Sequence, residues 1–378
     1  MNRARWVAVA AMVAGMFLLP GCLPPTPEDL ANVDYTPVGG GDWEVSTPEA
    51  EGLNPLLVAE LYYNAAKMET LRGLLVIVNG RLIAEDYFND GSIDQTARLQ
   101  SVTKSFTSAL VGIALKQGLL TGVDQKMLDF FPEIAGQITD PRKEEITVRQ
   151  LLQMRAGYPW EETHRDLWAG LLSGHYPPLL ESFPLIADPG TEFHYSNLTS
   201  NWLGIIVDRV SGMNLKAYAE EHLFAPLGID PGEWGTDAEG HNNGCGDLHL
   251  RIRDAAKFGL LYLDEGEYKG EQVIPANWIE DSLRAYSMSV SSGAPSSGRI
   301  GRYFRDIGYG YQWWSATISG HHVDYAAGHG GQLIVLLEAL DMVIVTTAYP
   351  FWLEHTGESW RHEKACFNLV GRFIDSLP

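Results

Sequence analysis

Ser101-Val102-Thr103-Lys104 sets a hydroxyl and an amine three residues apart, a spacing that brings both side chains to one face of a helix. A lysine so placed can accept or hold the serine proton, which makes Ser101 a candidate nucleophile. With a helix starting at this point, the Ser101 N–H is one of the unbonded donors of the first turn and can stabilise a developing oxyanion. Alone, the spacing recurs by chance in roughly every second chain of this length. Tyr195-Ser196-Asn197 adds a phenol, which can serve as a base near neutral pH where a cation such as Lys104 favours its phenolate. Its Asn197 amide can hydrogen-bond Lys104 or a substrate amide. His329-Gly330-Gly331 reads as the start of a strand, where glycines admit a substrate to the backbone and the N–H of Gln332 is available as a second oxyanion donor. Tyr62-Tyr63-Asn64 repeats the second pattern on an apolar helix-like run and reads as structural.

The elements that must carry these groups are legible as periodicities. Gly73 to Val78 and Leu82 to Phe88 are strand-like runs joined by Asn79-Gly80, a hairpin signal because both positions accept positive φ. From Ser101 the period becomes helical, with Phe106, Leu110, Ile113 and Ala114 on one face and Gly118 ending the run. Leu198–Val210, Leu215–Leu223, Arg253–Leu263 and Pro275–Arg284 read as helices, and Ser287–Gly298 as a Ser/Gly/Pro-rich loop. Strand character returns at Tyr309–Trp314, Gln332–Leu337 and Met342–Thr347, the last two joined by a turn near Asp341, and a helix Glu358–Ile374 follows. The fold class is therefore α+β, with an antiparallel sheet of about five strands drawn from 46–100 and 300–378. Helices flank it, and 101–299 forms an inserted, mostly helical region.

In this order, and each at an element boundary, the three groups resemble the motifs of class C β-lactamases, penicillin-binding proteins and related esterases, amidases and D-aminopeptidases. The third motif is Lys-Thr-Gly in the β-lactamases and often His-x-Gly in the relatives. Leu151–Gly157, Asp188-Pro189-Gly190, Arg253–Gly259, Tyr309-Gly310-Tyr311 and Gly328–Gln332 resemble further stretches of this family. The resemblance runs from about Ser46 to the C-terminus and implies a β-lactamase/transpeptidase-like fold. It also implies acyl transfer through a Ser101 acyl-enzyme, with Lys104 and Tyr195 moving protons and no metal or organic cofactor. The substrate it implies is a small-molecule or peptide-like ester or amide. A carboxylesterase is the first expectation, with an amidase or D-aminopeptidase, a β-lactamase or a D,D-carboxypeptidase as alternatives. A non-catalytic binding module on the cell envelope is a different class, against which intact Ser101, Lys104 and Tyr195 argue. His329, standing where β-lactamases keep a charged lysine, disfavours recognition of a substrate carboxylate.

Composition removes other classes. Lys+Arg 27 against Asp+Glu 48 leaves a net charge of -21, which repels nucleic acid, and the longest basic cluster, Arg299 to Arg305, reads as a solvated loop. No Gly-x-Ser-x-Gly elbow occurs, and the histidines, His321-His322 included, lack a metal-ligand spacing. Trp160, Trp313 and Trp314 are candidates for core or for a substrate cleft. Cys245 and Cys366 can pair in an oxidising compartment or stay as buried thiols.

Arg3 and Arg5 precede an apolar run, Trp6 to Leu19, of signal-peptide length, and Leu19-Pro20-Gly21-Cys22 resembles a bacterial lipobox. The expectation is a signal peptide over 1–21, an acylated Cys22, and a flexible tether over 22–45 rich in Pro and Gly. The enzyme domain over 46–378 is then exported and anchored to an envelope membrane. Cys22→Ser should move the protein from the membrane to the soluble fraction of its native host. Unchanged membrane partition after that substitution would remove the lipid anchor.

Overall fold

The computed structural model describes residues 25–39, 43–290, 300–351 and 358–378; Cys22 and the expected signal peptide lie outside them. Leu71–Val78 (β1) and Arg81–Tyr87 (β2) form the hairpin, with Asn79 and Gly80 both at positive φ. They join Ser287–Met288 (β3), Arg305–Tyr309 (β4), Trp314–Ile318 (β5), His321–Gly328 (β6), Gln332–Leu337 (β7) and Met342–Ala348 (β8). One antiparallel sheet results, in the order β2-β1-β8-β7-β6-β5-β4-β3.

The eight strands exceed the five expected, for identifiable reasons. Tyr309–Trp314, expected as a strand, is the turn between β4 and β5, with Gln312 at φ 62. Its aromatic residues pack as a strand's would, which hides the reversal. β6 opens with two histidines and β4 with two charged residues, so neither shows the apolar run that marks a buried strand.

The apolar runs of β1, β7 and β8 follow from burial on both faces. Leu74, Val76 and Val78 of β1, with Leu333, Val335 and Leu337 of β7, enter an outer core; Leu75, Ile77, Ile334 and Leu336 enter an inner one. Pro55–Ala65 (α1) and a C-terminal helix, Glu358–Asp375, cover the outer face, the latter through Phe367, Val370, Phe373 and Ile374. The inner core is shared by Thr103–Lys116 (α2), Asn197–Ser211 (α3), Ile252–Leu263 (α4), which lies against β1, β7 and β8, and Ala276–Leu283 (α5); the C-terminal helix is α6. Tyr62, from the repeated Tyr-x-Asn, lies on α1 and donates to the Leu74 carbonyl at 2.9 Å.

Helix α2 is buried from Thr103 to Ala114, polar residues included. Its hydroxyls find partners in passing loops: Ser105 donates to the Gln312 carbonyl at 2.7 Å and Thr107 to the Gly244 carbonyl at 2.8 Å. A central helix is thus tied to the segment 244–248 and to the β4–β5 turn.

The described part of the expected tether is packed, not free. Pro27–Ala31 is a helical turn capped by Thr26 and Asp29. Val33 and Tyr35 then contact the outer core, and Tyr35 accepts from the Glu85 N–H at 3.0 Å. Val38 donates to Glu85 and accepts from Arg253, which is itself bonded to the buried Glu85 carboxylate at 2.7 Å. Together with Glu44 and Ser46, which bond to Leu82, the segment covers the edge of β2, a role that composition alone does not reveal.

At the β6–β7 turn, Gly331 has φ +103, and a Cβ there would lie 2.3 Å from the Cys366 sulfur on α6. Gly331→Ala should cost about 2 to 4 kcal/mol through strain and overpacking. Urea unfolding measures it, and an unchanged midpoint would contradict the packing described.

Candidate active site

Ser101 lies on a 3₁₀ turn, Gln100–Val102, immediately before α2, and not within the helix proper. Gln100 has φ 51, left-handed for a residue with a side chain. Two neighbours hold this turn in place. Leu99 donates to the Leu248 carbonyl at 2.9 Å, and Gly328, the last residue of β6, comes so close that a Cβ would sit 2.3 Å from the Leu99 carbonyl.

One turn on, Lys104 is 2% exposed. Its ammonium donates to Ser101 Oγ at 2.9 Å, to Asn197 Oδ1 at 2.9 Å and to the Cys245 carbonyl at 2.8 Å, which uses all three of its protons. Burial pulls this amine down. Its neighbours Tyr195, Cys245 and Glu162 outweigh that, so the net displacement is upward and Lys104 is a cation at neutral pH. A permanently charged lysine is suited to holding a phenolate and poorly suited to being the base itself.

Tyr195 has its ring centre 5.0 Å from Lys104 Nζ. The sheet fixes the ring: Tyr195 stacks on Trp314 of β5 at 5.7 Å and meets Tyr309 of β4 edge-on at 6.5 Å. Ser196 caps α3 by accepting from the Thr199 N–H at 3.3 Å, and Asn197 is the first helical residue.

Beneath this helix start lies Glu161, fully buried, which sequence reasoning missed. Its carboxylate accepts from the Ser196 hydroxyl at 2.6 Å, the Asn197 N–H at 2.9 Å and the Leu198 N–H at 3.2 Å. Burial raises its pKa, and these three donors only partly offset the rise. A helix start attracts an anion, but nothing in the chain ties residue 196 to residue 161. Glu162, adjacent, accepts from Asn197 Nδ2 at 3.3 Å.

The third group forms the β6–β7 turn ahead of β7, and its members diverge. His329 faces Ser101 across the cleft, with its ring centre 4.2 Å from that of Trp360 and its Nδ1 2.9 Å from Glu363 Oε2. The same carboxylate oxygen accepts from the Gly330 N–H at 3.0 Å. Gly330 and Gly331 do not open the backbone to a substrate as expected; their missing side chains admit Pro350 and Cys366. Gln332 is buried with its side chain bonded to both backbone groups of Ala348 on β8, at 2.6 and 3.2 Å. Glu363 and Trp360 were also missed, since both lie on α6, an element read only as a cover for the sheet.

Two connected hollows meet at Ser101, Glu162, His329 and Trp360. The larger, 800 Å³, extends past Asn197, Tyr176, Asp237 and Asp247; the smaller is walled by Trp160, Tyr195 and Trp314. Of the three candidate tryptophans, Trp313 is core instead, against Phe258 and Tyr262. Cys245 and Cys366 are free thiols, which resolves the alternatives left open above.

Glu161→Ala would leave three buried donors unsatisfied and is expected to cost about 2 to 4 kcal/mol. Turnover should fall at least about tenfold as Asn197 and Tyr195 lose their support. Thermal melting and steady-state kinetics measure the two effects; wild-type values in both would show the cap to be dispensable.

Comparison with known proteins identifies the family. Residues 66–363 match the Beta-lactamase family model. The 6-aminohexanoate-dimer hydrolase of Paenarthrobacter ureafaciens is 27% identical over 328 residues, 82% of this chain and 80% of that protein. Lovastatin esterase of Penicillium rubens is 27% identical over 43% of this chain and 44% of its own. A solved structure, the putative 6-aminohexanoate-dimer hydrolase from Bacillus anthracis, superposes with a TM-score of 0.61 at 22% identity, covering 82% of this chain and 81% of its own. The eight-stranded sheet is therefore of β-lactamase/transpeptidase type, and the chain belongs to the Beta-lactamase family as a serine hydrolase.

Proposed function

We propose that the protein is a carboxylesterase-type hydrolase working through an acyl-enzyme on Ser101. Ser101 Oγ attacks the ester carbonyl carbon while its proton passes to the Tyr195 oxygen, with the Lys104 ammonium 5.0 Å from the Tyr195 ring centre. The oxyanion is held by the N–H groups of Ser101 and Gln332. When the tetrahedral species collapses, Tyr195 returns the proton to the departing alkoxide. Water then adds to the acyl carbonyl and gives Tyr195 a proton, which Ser101 Oγ takes as the acid leaves. Each proton has a side chain to carry it, so the cycle needs no metal or organic cofactor. The same reading has the enzyme exported and held at an envelope membrane through Cys22, on the strength of the leader pattern.

The charge of the cleft supports esters over β-lactams. Among the described residues, Arg98 is the only Arg or Lys lining either hollow, and Asp247 holds it at 2.7 Å. The nearby Lys104 is fully used. A substrate carboxylate would meet no spare lysine or arginine there, and such a contact is worth about 1.5 to 3 kcal/mol. A second reading, an amidase for amine-bearing substrates, draws support from Glu162, Asp237 and Asp247 along the larger hollow and from the 6-aminohexanoate-dimer hydrolase among the relatives.

Exposure to a short-chain aryl ester, a D-amino amide and a cephalosporin, followed by intact-protein mass, tests the proposal. The ester should acylate wild type but not Ser101→Ala, whose turnover should be lower by at least about a thousandfold. Near wild-type activity in Ser101→Ala would remove the nucleophile. Cephalosporin turnover as efficient as ester turnover would move the β-lactamase reading to first place.

A further inference from the structure

Glu363 has no part in the proton transfers above, yet it is largely buried and spends one carboxylate oxygen on the turn that faces Ser101. That oxygen accepts from the N–H of Gly330 and lies 2.9 Å from His329 Nδ1, where a carboxylate can only accept and the ring therefore donates, while Trp360, one turn earlier on α6, packs against the imidazole. A ring bonded through Nδ1–H directs its other nitrogen away from the carboxylate, and in the neutral ring that nitrogen is an acceptor. No protein partner for Nε2 is found among the described residues, and the His329 side chain lines both hollows. The remaining charged groups around the cleft are also acceptors: Glu162 and Asp237 are carboxylates, and Asp247 neutralises Arg98.

We propose that Glu363 is a positioning residue that fixes His329 as a hydrogen-bond acceptor beside Ser101. The enzyme thereby selects substrates with a hydrogen-bond donor, a hydroxyl or an N–H, close to the scissile carbonyl. This rests on the reading of Ser101 as nucleophile and adds a positive requirement to the carboxylate exclusion already argued. A site built to accept from a donor discriminates against a substrate lacking one, because its own acceptor is left dry and unpaired.

The test uses the full-length protein and matched esters followed by pH-stat. Ethyl butyrate, ethyl 3-hydroxybutyrate and monoethyl succinate vary the acyl side; ethyl, 2-hydroxyethyl and carboxymethyl butyrate vary the leaving side. In one series the hydroxyl ester should exceed its plain counterpart in kcat/KM by about three- to tenfold, mainly through KM, with the carboxylate ester slowest. Glu363→Ala should bring the hydroxyl-to-plain ratio to near one, and Glu363→Asp should restore part of it. In a His329→Ala background, Glu363→Ala should leave the ratio unmoved. Preference for the carboxylate ester, or a ratio that Glu363→Ala does not change, overturns the proposal. So does an equal loss on all three esters, which would assign Glu363 to turn structure through Gly330 alone. Thermal melting of each variant confirms that the folded protein is compared. Intact mass on the same samples separates the two levels: acylated Ser101 with no hydroxyl preference defeats only this inference, whereas turnover without acylation defeats the reading of Ser101 on which it rests.

Discussion

The ammonium of Lys104 is the constraint around which the interior is arranged. A buried cation of this kind costs several kcal/mol unless every proton finds an acceptor. Here the three acceptors come from three separate parts of the chain: Ser101 one turn back, Asn197 at the head of α3, and the carbonyl of Cys245 in an irregular segment. Satisfying one charge therefore fixes the mutual placement of two helices and a loop. The hydroxyls of Ser105 and Thr107 do the same for the rest of α2, so a helix surrounded by protein on all sides is held in register by polar contacts as well as apolar ones.

Two buried carboxylates act on the other pieces in a parallel way. Glu161 gathers the donors at the start of α3 and thereby sets Tyr195-Ser196-Asn197; Glu363 gathers the donors of the β6–β7 turn and sets His329. Neither belongs to the motif that it supports. Both use an anion to collect N–H groups that the backbone leaves without partners at the end of an element.

That division explains what was legible in the sequence. The first hairpin and helices α3, α4 and α5 followed from local period and turn chemistry, and their boundaries moved by one or two residues. Ser101, Lys104 and Asn197, 93 residues apart at the widest hydrogen bond, were paired only because their motifs were recognised together. Glu161 and Glu363 were invisible, since a lone glutamate in an ordinary stretch carries no mark of its partner 35 or 33 residues away. The strands around the Tyr309–Trp314 turn were misplaced because aromatic burial looks alike in a strand and in a packed reversal. The N-terminal segment failed for a related reason: edge-strand pairing uses backbone groups, which every sequence has.

The packed N-terminal segment also bears on geometry outside the fold. With residues 26–38 packed on α1 and on Glu85 of β2, only residues 23–25 separate Cys22 from the Thr26 cap. Four Cα intervals reach about 14 Å at full extension, less than half the thickness of a bilayer's hydrocarbon core. On the proposal that Cys22 is acylated, the catalytic body would be held close to the lipid headgroups. It would meet molecules that diffuse in two dimensions along that surface far more often than those dispersed through the surrounding volume.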